Sequence, residues 1–294
     1  MTSQIRPRRS VLYMPGSNPR ALEKAKTLPV DSIIFDLEDA VAPDAKAEAR
    51  DLVCEAARNG GYGDRELVIR INPLETPWGI DDLEAVAAAG PDAILLPKVQ
   101  AGQMIISADK LLVDAGAPAK TKIWAMVETP LAIMHAEEIA SMSTSTKLEC
   151  FVLGTNDLAL ELGCAQTPDR DPMKAALSWA LLAGRGYGLA VIDGVYNDIG
   201  NEDGFKASCQ QGSDFGFDGK TVIHPTQVAP ANEMFAPPAD EVSWARQIIA
   251  EFDKPENSAK GVLKIEGRMV ERLHVEGAGK LVALADAIAK REAE

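Results

Sequence analysis

Eight short apolar, β-branched runs recur along this chain of 294 residues, and between most of them lie Ala/Leu/Glu/Lys-rich stretches with helical spacing. The runs are S-V-L-Y-M (10–14), D-S-I-I-F-D (31–36), L-V-I-R-I (67–71), D-A-I-L-L (92–96), I-W-A-M-V (123–127), E-C-F-V-L (149–153), L-A-V-I-D (189–193) and F-D-G-K-T-V-I (217–223). P-R-A-L-E-K-A-K follows the first, and A-K-A-E-A-R-D-L-V-C-E-A-A-R follows the second. Continuous apolar strands alternating with helices predict a parallel sheet covered on both faces. Eight repeats in roughly 225 residues match the size of a (β/α)8 TIM barrel. A doubly wound open sheet is the alternative. No G-x-G-x-x-G follows the first strand, which weakens a dinucleotide-binding version of it.

After about residue 236 the pattern changes. A-P-P-A-D-E-V-S-W-A-R-Q-I-I-A-E-F opens with prolines and an acidic first turn, and predicts a helix. N-S-A-K-G-V-L-K-I-E-G-R-M-V predicts a loop with a short extended pair, and H-V-E-G-A-G-K-L-V-A-L-A-D-A-I-A-K-R a second helix with an apolar face. The expected division is a barrel domain, 1–236, and a C-terminal helical extension, 237–294.

With 46% hydrophobic and 25% charged residues the chain can bury a substantial core. A net charge of −14 argues against a sequence-independent hold on nucleic acid, which needs clustered cations to neutralise phosphates. An anionic small ligand stays open, because a local Arg/Lys pocket can oppose the global charge. Cys54, Cys150, Cys164 and Cys209 form no C-x-x-C pair. They read as neither a zinc site nor a disulfide framework, and they suit a reducing cytoplasm. The start, MTSQIRPRRS, is basic without an apolar core behind it, so a secretory signal is not expected. No apolar run approaches the ~20 residues that span a bilayer. The expected compartment is the cytoplasm.

In a barrel, chemistry collects at the C-terminal ends of the strands. Here those ends carry Pro15-Gly16-Ser17, Asp36-Leu37-Glu38-Asp39, Arg70-Ile71-Asn72, Pro97-Lys98, Glu128, Gly154-Thr155-Asn156-Asp157, Asp193-Gly194 and His224-Pro225. They are read as walls of one shared pocket. Glu128 and Asp157 end consecutive strands, and two adjacent carboxylates repel unless a cation or a shared proton lies between them. With no His/Cys cluster nearby, hard oxygen ligands suit Mg²⁺, which then holds a 2-oxo or 2-hydroxy acid. The structural alternative is that each acid caps a helix, as T-N-D-L could do for Asp157.

Arg70 near the end of a core strand needs an anion, either Asp36 or Glu38 within the protein or a ligand's carboxylate or enolate oxygen. The acids of D-L-E-D can fix Arg70 or metal-bound waters. Lys98 is a minority candidate for a Schiff base, since neighbouring acids keep an amine protonated. His224 either bonds a ligand or satisfies backbone groups. Y-M-P-G-S-N-P-R, leading into a helix, offers N–H groups and Arg20 or Lys24 to a phosphate.

R-S-V-L-Y-M-P-G-S, I-I-F-D-L-E-D-A-V, V-I-R-I-N, L-P-K-V, M-V-E-T-P, G-T-N-D-L, V-I-D-G-V-Y and F-D-G-K-T-V-I-H-P-T-Q-V together resemble the citrate lyase β-subunit-like group of the HpcH/HpaI aldolase superfamily. That group holds malyl-CoA, β-methylmalyl-CoA and citramalyl-CoA lyases and the related (3S)-malyl-CoA thioesterase. The similarity runs over practically the whole chain, including G-R-M-V-E in the tail. It implies a (β/α)8 enzyme that uses Mg²⁺, with Mn²⁺ as an alternative, and acts beside a CoA thioester.

The group's metal carboxylates fall on Glu128 and Asp157, its carboxylate- and carbonyl-binding arginine on Arg70, and its CoA contacts on Tyr13 and Lys24. A family arginine in that loop is replaced by Asn18, with Arg20 two residues on. Ile223 and His224 join the expected substrate-binding set, and Glu38 and Asp39 join Arg70 and Glu271 in the expected catalytic set. The resemblance also implies a homotrimer or hexamer whose C-terminal segment covers a neighbouring subunit's site. Glu271 stands where the lyases usually carry Asp, and it could move a proton at carbon or activate a water.

The leading expectation is a lyase that splits a malyl-CoA-like thioester into acetyl- or propionyl-CoA and a 2-oxo acid such as glyoxylate. Hydrolysis of the same thioester to malate and CoA is the alternative. A citrate lyase β-type subunit and a CoA-independent pyruvate aldolase complete the set.

Overall fold

A computed structural model describes residues 5–293; residues 1–4 of the basic start and residue 294 lie outside them. Strands β1 (Ser10–Pro15), β2 (Ser32–Asp36), β3 (Glu66–Arg70), β4 (Ala93–Leu96), β5 (Lys122–Val127), β6 (Leu148–Leu153), β7 (Ala190–Asp193) and β8 (Gly219–Val222) pair in chain order. All the pairings are parallel, and β8 closes on β1 through Ser10↔Lys220, Val11↔Thr221 and Leu12↔Val222. The result is a closed (β/α)8 barrel, as the alternation of apolar runs and helical stretches predicts, and closure excludes the open sheet. Every predicted run contains its strand to within a residue or so. The last is the most shortened, from 217–223 to Gly219–Val222.

Because side chains alternate along a strand, each one divides its residues between the barrel interior and the helix layer. Val11, Ile34, Val68, Leu95, Trp124, Cys150, Val152 and Ile192 form the interior cluster. Their neighbours Leu12, Ile33, Ile69, Ile94, Ala125, Phe151 and Val191 belong to the larger cluster under the helices. At the N-terminal end of the strands Arg8 lies over the Trp124 ring, 5.0 Å from its centroid, and is held by Glu66 at 2.7 Å and by Glu149. A charged group ends the apolar interior there.

The alternation also corrects part of the strand-end reading. Asp193 follows the inward Ile192, so it points into the helix layer, where Gly212 leaves room for it. Arg170 Nη1 donates to it at 2.6 Å and Lys220 Nζ at 2.8 Å. Burial pushes the Asp193 carboxyl up, but Lys220 and Arg170 overcome this and hold it below its ordinary value. This is a buried structural ion network rather than a wall of the pocket.

Arg8–Phe235 form one compact unit; the described residues of Met1–Pro7 and Ala236–Glu294 form another. The second unit packs the helix Ala239–Phe252 and the helix Leu273–Glu292 with an antiparallel hairpin of β9 (Val262–Ile265) and β10 (Arg268–Glu271). The hairpin turns through Glu266 at φ +46° and Gly267 at φ +84°. Two consecutive positive φ values are what a two-residue hairpin turn of type I′ requires. Ala245, Ile248, Phe252, Leu263, Ile265 and Val270 give this unit its own small core. Among the described residues no helix is long and apolar enough to cross a membrane, and all four cysteines are unpaired.

Replacing Asp193 by alanine leaves Arg170 and Lys220 buried without their anion. We expect Asp193→Ala to destabilise the barrel by about 3–5 kcal/mol in urea unfolding. A loss below about 1 kcal/mol, the range of an exposed pair, would contradict this account.

Candidate active site

The inward phase continues past the apolar interior to the C-terminal ends of the strands. There it presents Tyr13 of β1, Asp36 of β2, Arg70 of β3, Met126 of β5 and Thr221 of β8, with Glu128 and Ile223 each two residues further on. These residues, with Asp39 and Asp157, line a cavity of about 350 Å³. Leu153 and Val195 add apolar wall to that of Met126 and Ile223. An acid ends the β5 run because position 128 has the same parity as Trp124 and Met126, one layer above them.

Arg70 is buried, and Asp36 grips it with two bonds, from Nε at 2.7 Å and Nη2 at 2.6 Å. Asp36 is itself fixed by the N–H groups of Glu38 at 2.8 Å and Ala40 at 3.0 Å. Arg70 Nη1 donates to Asp39 at 3.2 Å and lies 2.8 Å from Glu38 Oε2. The guanidinium also sits 5.0 Å from the Tyr13 ring centroid. Burial works against its charge, but Tyr13, Asp36 and Glu38 outweigh it and raise the Arg70 pKa well above its ordinary value. The internal ion pair is therefore realised, with Arg70 still facing the cavity. Burial likewise raises the Tyr13 phenol, against the pull of Arg70.

Glu38 is less well satisfied. Its Oε2 is buried and has no hydrogen-bond partner among the described residues, because the approach to Arg70 lacks the direction of a hydrogen bond. Burial, helped by Asp39, Glu128 and Asp36, pushes Glu38 up to about 8 against the pull of Arg70.

Glu128 is buried and accepts the Lys98 N–H at 2.7 Å. Its carboxylate passes against Gly154, where an added Cβ would stand 2.4 Å from Glu128 Oε2. Burial raises Glu128 to about 7 and Asp157 adds to the rise, although the Lys98 N–H and Arg70 pull it down. Asp157 lies in the first turn of the helix Thr155–Leu162, for which no side-chain capping bond is found among the described residues. Its Oδ1 is 3.3 Å from Lys98 Nζ, so its partner is that ammonium rather than the helix end. Asp157 and Glu128 raise the Lys98 amine despite partial burial, and a protonated amine is a poor Schiff-base nucleophile.

Among the described residues, the ion-pair partners of Asp36, Glu38, Asp39 and Asp157 in this cluster are Arg70 and Lys98, and Glu128 feels the same two cations. Such an excess of carboxylate, part of it buried, fits a divalent cation. No group of three or more His, Cys, Asp or Glu among the described residues forms a complete ligand set. Two carboxylates beside an open cavity are the donor set on which Mg²⁺ keeps places for water and substrate. Glu128 and Asp157 are the residues that would hold it.

Other expected site residues lie elsewhere. Arg20 and Lys24 are exposed on the helix Pro19–Ala25, outside the cavity wall. The Asn18 side chain already accepts the N–H groups of Arg20 and Ala21, so those two amides are not open to a phosphate as the sequence reading had it. His224 turns its Nδ1 to Thr226, taking the local structural role. Asn72 bonds Asp82 and the Leu37 carbonyl instead of facing the cavity. Glu271 ends β10 in the second unit, exposed, with its N–H donating to His274 Nδ1 at 2.9 Å. Sequence reasoning passed over Met126 and Thr221, although each lies two residues before a residue it named. It had no signal for Asn197 or Val195, which come from an irregular loop.

Two predictions follow from this electrostatics and packing. Glu38 and Glu128 keep their protons to about pH 8 and 7 in the fold, against about 4.3 for an unfolded glutamate. Between those limits the folded form binds more protons at these two groups, so their contribution to metal-free stability is fullest below pH ~4 and is lost as pH rises through about 8. Melting in EDTA from pH 5 to 8 should show Tm falling, with a shallower slope in Glu38→Gln; equal slopes would count against the assignment. Gly154→Ala should displace Glu128, cost about 1–3 kcal/mol, and abolish the rise in Tm on adding Mg²⁺. A retained Mg²⁺ response would show that the close approach is unimportant.

Residues 9–225 match the sequence family described as HpcH/HpaI aldolase/citrate lyase. The chain is 45% identical to a (3S)-malyl-CoA thioesterase of Cereibacter sphaeroides, over 98% of both chains. It is 36% identical to a citrate lyase subunit beta of Leuconostoc mesenteroides subsp. cremoris, over 95% of this chain and 94% of that one. The structure resembles that of CitE from Mycobacterium tuberculosis in complex with magnesium, acetoacetate and coenzyme A. The TM-score is 0.74 at 28% identity, covering 96% of this chain and 98% of the other. A citrate lyase beta subunit complexed with oxaloacetate and magnesium, from M. tuberculosis, gives a TM-score of 0.67 at 28% identity, over 79% and 98% of the two chains. With its profile match spanning most of the sequence and its relatives aligned end to end, the chain belongs to the HpcH/HpaI aldolase/citrate lyase family.

Proposed function

We propose that this chain is a Mg²⁺-dependent enzyme that hydrolyses a (3S)-malyl-CoA-type thioester to malate and free coenzyme A. The observation that carries the reading is the 45% identity, over 98% of both chains, to a protein of that activity. The leading expectation from sequence, carbon–carbon cleavage, has less support: the beta subunits of citrate lyase are more distant, at 36% identity for one of them. Magnesium and coenzyme A in the complex of the similar CitE structure support the choice of metal and thioester.

Glu128 and Asp157 would hold Mg²⁺, which supplies Lewis-acid polarisation and charge neutralisation at the oxygens of the malyl end. Arg70, fixed by Asp36, offers a permanent positive charge to the carboxylate or carbonyl oxygen. Met126, Leu153, Val195 and Ile223 keep water from the hydrocarbon part of the acyl group. Arg20 and Lys24 offer cations to the phosphates of coenzyme A from outside the cavity. Tyr13, Glu38 and Asp39 hold Arg70 in place, and Glu38 keeps its proton near neutral pH.

Glu271 is the base in this proposal, brought by the second unit of a neighbouring copy in a homotrimer or hexamer. Its carboxylate takes a proton from water as the oxygen adds to the thioester carbonyl. The C–S bond then breaks and the thiolate recovers the proton. Carbon–carbon cleavage remains a second reading, favoured by the acetoacetate and oxaloacetate in the similar solved structures. In that reading Glu271 protonates the acetyl-CoA carbanion.

Malyl-CoA incubated with the pure protein and Mg²⁺ separates the two. We expect malate and free coenzyme A by mass spectrometry, with no glyoxylate captured by phenylhydrazine. Glu271→Gln should lower kcat on the order of 10²–10⁴-fold. Captured glyoxylate together with acetyl-CoA would replace hydrolysis by the lyase reaction.

A further inference from the structure

Lys98 stands where the backbone gives no reason for a lysine. It follows β4 with φ +51°, a left-handed conformation that glycine adopts at lower cost. Two contacts arise from this turn. The Lys98 N–H donates to Glu128 Oε1 at 2.7 Å, and Nζ lies 3.3 Å from Asp157 Oδ1. A glycine would keep the first contact and lose the second. The ammonium is therefore what the side chain adds.

Its place is unusual in a second respect. The backbone touches one of the two proposed metal-binding carboxylates while the side chain touches the other. Arg70, the other cation of the cluster, is buried and engaged by Asp36, Glu38 and Asp39. The Lys98 side chain is 44% exposed and that of Asp157 32%. Its compact charge on a flexible stem can swing into solvent without disturbing the core.

We propose that Lys98 is a tethered counter-cation, whose ammonium neutralises Asp157 when no divalent ion is bound and is displaced when one binds, so that it sets the affinity of the site for the ion. The inference rests on Glu128 and Asp157 being the ion's ligands, as read above. The sign follows from charge. An ammonium on one of the ligands competes with the ion and, once displaced, still repels it from nearby. Removing the ammonium strengthens ion binding and leaves the metal-free carboxylates without their counter-charge.

The test is Mg²⁺ titrated calorimetrically into the full chain at low ionic strength, with Mn²⁺ followed by electron paramagnetic resonance as a second probe. Lys98→Met and Lys98→Gly should each bind roughly three- to tenfold more tightly than wild type, as expected for a screened charge ~6–8 Å from a divalent ion. Both should melt at a lower temperature in EDTA. Lys98→Arg, which keeps the charge, should stay within about twofold of wild type. The glycine variant takes the left-handed turn without strain, so a merely misfolded loop cannot mimic the result. Unchanged or weaker binding in either the methionine or the glycine variant overturns the proposal. Glu128→Gln and Asp157→Asn distinguish the two possible failures. If they leave ion binding intact, the ligand assignment falls and the role of Lys98 with it. If they abolish binding while Lys98→Met does not tighten it, only the role of Lys98 falls.

Discussion

Closure of eight parallel strands into a barrel is the constraint on which the rest depends. Once β8 pairs with β1, every strand has an inside and an outside, and alternation assigns each residue to one of them. Lower positions of the inward set are apolar and fill the barrel with Val68, Leu95, Trp124 and Val152. At the top the same set becomes ionisable or polar, in Tyr13, Asp36, Arg70, Glu128 and Thr221. Stability and chemistry therefore use a single geometric rule at different heights.

The barrel handles buried charge in two contrasting ways. Asp193 has two cations and is held below its ordinary carboxylate value. In that network both cations are committed to one carboxylate, with Arg170 Nη2 left without a hydrogen-bond partner among the described residues. At the mouth the balance is reversed, with Glu38 and Glu128 both raised by burial and by neighbouring acids. Carboxylates left short of cations are expensive to keep ionised, and they recover that cost only when positive charge arrives. Arg70 is the fixed point of the cluster, gripped by Asp36 from below while one face remains beside the cavity.

Much of this was legible in the primary structure, for local reasons. Strands apolar on both faces left a run for each barrel strand, and their order gave the fold. Glu128 stood out because an acid on the end of I-W-A-M-V breaks an apolar run; Arg70 and Asp157 stood out for similar reasons. Asp193 was placed at the pocket because strand-end position was read without parity, and it belongs to the helix side. Asn72 shares the parity of Arg70, but it lies beyond the end of β3, where its side chain is taken by Asp82 and the Leu37 carbonyl. The N–H groups of the loop before the first helix were counted as available to a phosphate, yet the Asn18 side chain accepts two of them. Of the two roles open to His224, its Nδ1 shows the local one, with Thr226. Lys98 was weighed for its nitrogen's reactivity, whereas its backbone N–H on Glu128 depends on a left-handed φ that no residue type announces.

Residue order alone pointed to the (β/α)8 fold and, through its strand-end motifs, to the family, and it singled out the two carboxylates that we propose for the metal. It could do so because each rests on periodicity or on residue types at strand ends, which are short-range properties. Tertiary structure decided which strand ends share a cavity, which acids are paired and which are left over, and where Gly154 lets Glu128 pass. Those depend on contacts between residues tens of positions apart, such as Arg70 with Asp36 and Lys98 with Asp157. A charge's environment is set by what surrounds it in space, and only the folded barrel fixes that.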